Sequence, residues 1–352
     1  MNNKTNYYRK LDILRIICAI AILFYHLGYM SGGYLAVCTF FVLSGYLGVI
    51  TNLNKDNFSL KKYYLKKIKK IYIPLLIVTF ISIAVVSNIP NTYWLNIKNE
   101  TTSVLLGYNN FWQINANLDY FARHIDSPFM HFWYIAILMQ FDLLFPFIFM
   151  ILNKLRKKFN KNLPIVITFV GSVIGAIIFY NMSKTNLMNA YYNTFTRVFS
   201  LFIGMMLGYI HNEYGNFFTL DVTNKKLKNI IYTLYLMVII IMFKFVPATS
   251  IYFSTSMVLI NIVSCRCIDY AVSYNNESKF DHLIRGVANM TYEIYLVQYP
   301  VIYAFQYLNI NHVIKTPIII VIVLLLSFLL HFALSSKKKH KNIKELLLIL
   351  FI

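Results

Sequence analysis

Long apolar runs alternate with short basic segments along almost the whole chain. A helix needs about 20 apolar residues to cross a bilayer, within a range of roughly 17–25. Runs of that kind stand near 13–31, 35–51, 71–88, 131–152, 164–181, 197–211, 230–247, 251–268, 289–308 and 317–334. The second and sixth are the shortest. The pattern predicts an all-α polytopic membrane bundle of about ten transmembrane helices. Pro74, Pro146, Pro164 and Pro317 fall near span ends. Pro300 lies inside the ninth span, where a neighbouring group must satisfy the carbonyl it frees. Segment 89–130 is the longest polar stretch and is rich in Asn, Tyr and Trp. A connection of that length is a candidate functional loop or lid.

Composition agrees with lipid as the solvent. The 352 residues are 58% hydrophobic and 13% charged, whereas a soluble domain carries about 25% charge. The mean hydropathy is +0.58. The formal net charge of +20 raises the question of a nucleic-acid partner. The distribution of the charge answers against one. With the N-terminus placed in the cytosol, roughly 25 of the 33 Lys and Arg residues fall in inside segments. The outside segments hold only Lys98, Arg123, Lys184 and Lys315. This alternation predicts a multi-pass cell-membrane protein with both termini cytosolic. The basic start runs into the first span without a cleavage motif, which reads as an uncleaved helix. Residues 1–340 are read as one transmembrane domain. Residues 341–352 are read as a short cytosolic tail whose apolar end suits the membrane surface. Cys18, Cys38, Cys265 and Cys267 have neither disulfide-framework nor zinc-ligand spacing, so no metal site is expected.

A charge inside a span is costly, so each is a functional candidate as well as a candidate packing pair. In the first span Asp12 and Arg15 are three apart and can pair on one face. Arg15 and His26 are eleven apart, hence on one face and about 16 Å apart along the axis. His131 and Asp142 have the same spacing in the fourth span, and Arg197 opens the sixth. The ninth holds Glu293, Gln298 and a stripe of Tyr292, Tyr295, Tyr299 and Tyr303, which can line a cavity or simply pack. Two polar levels result: Asp12, Arg15, Lys70 and Glu293 toward the inside, and His26, His131 and Arg197 toward the outside. Chemistry that joins a cytosolic donor to an outside acceptor needs both.

These residues resemble the acyltransferase-3 family of membrane acyltransferases. The resemblance covers nearly the whole chain. It rests on Leu11-Asp12-Ile13-Leu14-Arg15 running to His26, and on Phe40-Phe41-Val42-Leu43-Ser44-Gly45-Tyr46-Leu47. It rests further on Lys70-Ile71-Tyr72-Ile73-Pro74, His131-Phe132-Trp133-Tyr134, Arg197 with Gly204, and Thr291-Tyr292-Glu293-Ile294-Tyr295-Leu296. It implies acetyl-CoA or another acyl-CoA as donor, a cell-surface or lipid-linked glycan as acceptor, and essential roles for Arg15 and His26. His26 is the expected base or acyl carrier, with Arg15 and Arg197 assisting. Lys66, Lys67 and Lys70 are the expected donor-binding cations. Ser44, His131, Trp133, Tyr292, Glu293 and Gln298 are the expected substrate contacts. Membrane lipids and glycan-assembly proteins are the other partners considered.

The sequence departs from the family pattern at Lys70, where Arg is common, at Gln298, where His is frequent, and at Cys38, where Asp is frequent. Leu138 and Met139 stand where peptidoglycan-type members often have acidic residues. With a length that leaves no room for an appended hydrolase-like domain, the expectation is a stand-alone, capsule-type O-acetyltransferase. The competing expectation is a transporter or flippase for a lipid-linked glycan, which has no need of the Arg15–His26 pair.

Overall fold

The computed structural model describes residues 8–53, 58–89, 96–121, 127–215, 219, 224–249, 252–274 and 278–336. The tail 341–352 and the basic residues around 337–344 lie outside the described residues. Fifteen α-helices follow one another among the described residues, with no strand. They are α1 Arg9–His26, α2 Ala36–Leu53, α3 Leu60–Lys67, α4 Ile73–Val86, α5 Ile97–Leu105, α6 Asn109–Asn115, α7 Trp133–Lys158 and α8 Leu163–Thr185. Then come α9 Leu187–Tyr192, α10 Thr194–Tyr214, α11 Lys225–Phe245, α12 Phe253–Ser273, α13 Asp281–Asn289, α14 Thr291–Gln306 and α15 His312–Ser336.

Each of the ten predicted spans meets a long helix, with the α3–α4 unit serving as the third. Seven of these are long and apolar enough to cross a membrane: those over 33–53, 60–86, 130–158, 163–185, 225–245, 253–273 and 313–335. The helices α1, α10 and α14 fall outside that set. The reason is polar load in α1 and α10 and shortness in α14. Helix α1 carries Arg9, Lys10, Asp12 and Arg15, and α10 carries Arg197, His211 and Glu213. Helix α14 has only 16 residues and includes Glu293 and Gln298. Some boundaries also move. The first helix stops at His26, where Gly28 turns the chain at φ +84°. The third begins at Leu60 rather than 71, and a π-helical turn over Ile68–Tyr72 links α3 to α4.

Helices α2 and α10 form the centre. A Cβ on Gly45 would sit 2.1 Å from the Leu201 carbonyl oxygen, and one on Gly204 would sit 2.0 Å from that of Val42. Only glycine permits the two backbones to touch in this way, as small residues do at membrane helix interfaces. Helices α8, α11 and α15 lie at the periphery, with large apolar side chains such as Phe169, Ile241 and Phe332 exposed. In a bilayer these face lipid.

Helices α5 and α6, the described helical part of segment 89–130, pack over one end of the bundle and are held by buried polar groups. Ser127 Oγ donates to Glu100 Oε1 at 2.5 Å, and Gln113 Nε2 donates to Asn109 Oδ1 at 3.3 Å. Gln140 of α7 donates to the Gly107 carbonyl at 2.8 Å, and Asn110 donates to Thr194 Oγ1 at 2.9 Å. Burial pushes the Glu100 carboxyl up to about 7.

Candidate active site

A cavity of about 490 Å³ opens at the lysine-rich end of the bundle between α2, α3, α7 and α14. Its cations are Arg15, Lys62, Lys66, Lys67 and Lys70. Lys62, Lys66 and Lys70 fall on one stripe of α3 and the π-helical turn, so the lysine run is aimed rather than scattered. The rest of the wall is largely apolar, with Leu43, Leu138 and Phe141 among its members. Ser44 and Tyr292 also line it. Arg15 Nη1 donates to Asp12 Oδ1 at 3.0 Å, and its Nη2 reaches Thr291 Oγ1 at 3.5 Å. Lys67 Nζ stands 2.6 Å from Asp142 Oδ1, which also accepts from the Tyr63 hydroxyl at 3.1 Å.

Tyr295 belongs both to this cavity and to the histidine level beyond it. Its hydroxyl donates to the His131 carbonyl oxygen at 2.6 Å, and its ring centroid lies 5.2 Å from the His131 ring. The His131 ring stacks on Tyr299 at 4.9 Å, and Tyr299 meets His26 edge-on at 4.7 Å. The two imidazole centroids are 6.4 Å apart. His26 ends α1, and its Nε2 is 2.9 Å from the Tyr120 hydroxyl.

The tautomer of His131 follows from Pro300. Proline has no N–H, so the carbonyl four residues earlier, that of Leu296, loses its helical donor. His131 Nε2 sits 3.3 Å from that oxygen. A carbonyl oxygen only accepts, so Nε2 carries the proton. In the neutral ring Nδ1 then holds a bare lone pair. Nδ1 of His131 and Nδ1 of His26 are both buried without a partner among the described residues.

Beyond the histidines lies an aromatic wall. Tyr120 packs on Tyr191 at 5.1 Å, and Trp133 packs on Tyr191 at 4.6 Å. Arg197 is fully buried behind it. Its guanidinium lies 4.4 Å over the Tyr191 ring, and its Nε donates to the Tyr191 carbonyl at 2.7 Å. Arg197 Nη1 lies 3.9 Å from Cys38 Sγ, and Nη2 has no partner among the described residues. Burial holds the Tyr120 and Tyr191 phenols well above the usual tyrosine range, so they are neutral hydroxyls.

The structure thus gathers Arg15, Ser44, Lys66, Lys67, Lys70 and Tyr292 at the cavity, and His26, His131, Trp133 and Arg197 in the aromatic level. Two predicted residues lie elsewhere. Glu293 turns to α15, where its Oε1 is 3.0 Å from His331 Nδ1. Gln298 is fully buried, outside the cavity wall, with neither amide atom partnered among the described residues. The tyrosine stripe is divided. Tyr292 and Tyr295 line the cavity, while the Tyr299 hydroxyl bonds Met130 Sδ and Tyr307 bonds Tyr303. Sequence reasoning missed Tyr120, Tyr63 and Lys62. Tyr120 sits in the long loop 94 positions from His26, and no periodicity links them.

Comparison with known proteins bears on the chemistry. The chain is 27% identical to the peptidoglycan O-acetyltransferase OatA of Listeria monocytogenes over 321 residues, covering 86% of this chain and 51% of that protein. It is 30% identical to the O-acetyltransferase OatA of Staphylococcus aureus over 214 residues, covering 58% of this chain and 35% of that protein. It therefore spans about half the length of these relatives or less. No solved structure matches the chain. The family model described as an acyltransferase domain matches residues 8–335, and on a match of that extent the chain belongs to the acyltransferase-3 family of membrane acyltransferases.

Proposed function

We propose that the chain is a membrane O-acyltransferase that moves an acyl group, acetyl in the first instance, from acyl-CoA to a hydroxyl of a cell-surface or lipid-linked glycan. The observation that carries this reading is the continuity at Tyr295, which borders the cation-lined cavity on one side and the His131–His26 level on the other. In this reading residues 1–340 are the transmembrane acyltransferase domain of a cell-membrane protein with cytosolic termini. The cavity then opens to the cytosol, where CoA is available. Lys66, Lys67 and Lys70 meet its phosphates.

The thioester carbonyl carbon is the electrophile and the glycan hydroxyl the nucleophile. As the new C–O bond forms, an imidazole takes the hydroxyl proton. The C–S bond then breaks, and the departing CoA thiolate is protonated by the same ring. His26 is the base or the first acyl acceptor, with His131 beside it. When His26 Nε2–H is donated to the Tyr120 hydroxyl, Nδ1 keeps the lone pair that either role requires. About 16 Å of helix separates Arg15 from His26, so one transition state does not touch both. Arg15 then serves the donor, with Thr291 and Asp12 holding its fork. Arg197 Nη2 is an available donor for charge developing at the outer level. The acceptor class is supported by the names of the relatives.

The test is transfer from labelled acetyl-CoA to glycan in membranes. His26→Ala at equal expression is expected to lose at least about 10²-fold, the lower range for general base catalysis. A wild-type rate in this variant would reject His26 as base or acyl carrier, and absence of transfer by the wild-type chain itself would favour the lipid-linked glycan transporter.

A further inference from the structure

Among the described residues, one acid stands in a cavity whose other charged groups are cations. Asp142 lines the wall and is itself 6% exposed. Its Oδ1 is engaged by Lys67 and Tyr63, while Oδ2 is buried with no hydrogen-bond partner among the described residues. A site that received only phosphate would be weakened by such a group, because a carboxylate repels an anionic ligand. A buried acceptor without a donor is also an unmet requirement that native structures seldom leave. The ligand that resolves both facts carries an N–H donor as well as phosphates.

The position of Asp142 fits one part of CoA. Along α7 the residues facing the cavity are Tyr134, Leu138, Phe141 and Asp142. Eight residues of helix place Asp142 about 12 Å from Tyr134 toward the lysine-rich end. Tyr134 and Tyr295 close the other end, with ring centroids 5.2 Å apart. A donor with phosphates at the lysines and its thioester near Tyr295 lays its pantetheine arm past Asp142. That arm contains amide N–H groups between the pyrophosphate and the sulfur.

We infer that Asp142 is a specificity residue for the donor, accepting a pantetheine amide N–H on Oδ2 while its Oδ1 holds Lys67. This rests on the acyl-CoA reading of the cavity. It goes beyond that reading by assigning the acid to the arm rather than to the phosphates. Removing Asp142 has opposite effects on the two halves of the donor. The arm loses a hydrogen bond to a charged acceptor, while the phosphates meet a more positive cavity.

The experiment measures binding to the full chain in lipid nanodiscs with three probes: acetyl-CoA, S-acetylpantetheine without phosphates, and adenosine 3′,5′-diphosphate without the arm. In Asp142→Ala, S-acetylpantetheine is expected to bind about 10- to 100-fold more weakly, the range for a hydrogen bond to a charged group. Adenosine 3′,5′-diphosphate is expected to bind as well as before or better. Asp142→Asn keeps the shape and a neutral acceptor, and serves if the alanine variant does not fold. It should show the same divergence with a smaller loss. Equal weakening of both fragments would mean that Asp142 only organises Lys67, and would overturn the assignment. Unchanged binding of S-acetylpantetheine in both variants would overturn it as well. Failure of the wild-type chain to bind acetyl-CoA would instead sink the donor reading, and this assignment with it.

Discussion

Two imidazoles 6.4 Å apart differ in how firmly their protons are assigned. Pro300 and Leu296 fix His131 as the Nε2–H tautomer, whereas His26 faces a hydroxyl that can donate or accept. The weight of that hydroxyl is measurable. Tyr120→Phe keeps the ring packed on Tyr25 and Tyr191 and removes the hydroxyl that meets His26. The turnover rate is expected to fall about tenfold, the value of one ordinary hydrogen bond. The KM for acetyl-CoA should stay unchanged, because Tyr120 does not line the cavity. A raised KM with unchanged turnover would contradict this role. Much of the site's first layer was legible from spacing. Asp12 and Arg15 pair as three-apart residues on a helix should, and the lysine run does face a cavity. Partners reached across the bundle were not legible. Tyr120, the Lys67–Asp142 pair and the Tyr295–His131 bond each join distant segments, and a helical period carries no information on which faces meet.

Among the elements, the α5–α6 cover carries a pH dependence through Glu100. Glu100 is nearly inaccessible and is pushed up to about 7 by burial. In the unfolded chain a glutamate ionises near pH 4.3. Between about pH 4.3 and pH 7 the folded state therefore holds a proton that the unfolded state has released. Stability falls as pH rises through that window and levels off above it. Acidification from pH 8 to pH 5 is expected to raise the melting temperature of the purified protein, and Glu100→Gln should flatten the dependence. A wild-type melting temperature that rises toward pH 8 would contradict the sign. Sequence reading marked this segment as a candidate functional loop or lid and did not reveal its buried carboxyl. Glu100 stands among Asn and Thr residues that look solvated, and only the fold encloses them.

For the whole molecule, apolar periodicity delivered the helical class and all ten long elements, while the basic loops supplied an orientation. The orientation is open to direct labelling. The four native cysteines are buried, so single introduced thiols stand out against a low background. Asn110 is fully enclosed and would be silent, but Asn117 and Lys158 are exposed. Asn117→Cys is expected to react with an impermeant maleimide in intact cells, and Lys158→Cys only after the membrane is opened. The reverse pattern would invert the topology and move the cation-lined cavity to the outside. The polar load of α1, α10 and α14 also reaches back to synthesis. A charge at the centre of a lone inserted helix costs about 2.5–3.5 kcal/mol. Helix α1 precedes α13 and α14 in the chain, yet its Arg9 pairs with Asp281 of α13 and its Arg15 reaches Thr291 of α14. Stable residence of α1 in lipid is therefore expected to await α13 and α14, and that of α14 to await α15, whose His331 meets Glu293. On that account the first helix described is locked in place only when the last ones arrive, so truncation before α13 is expected to leave α1 loosely held.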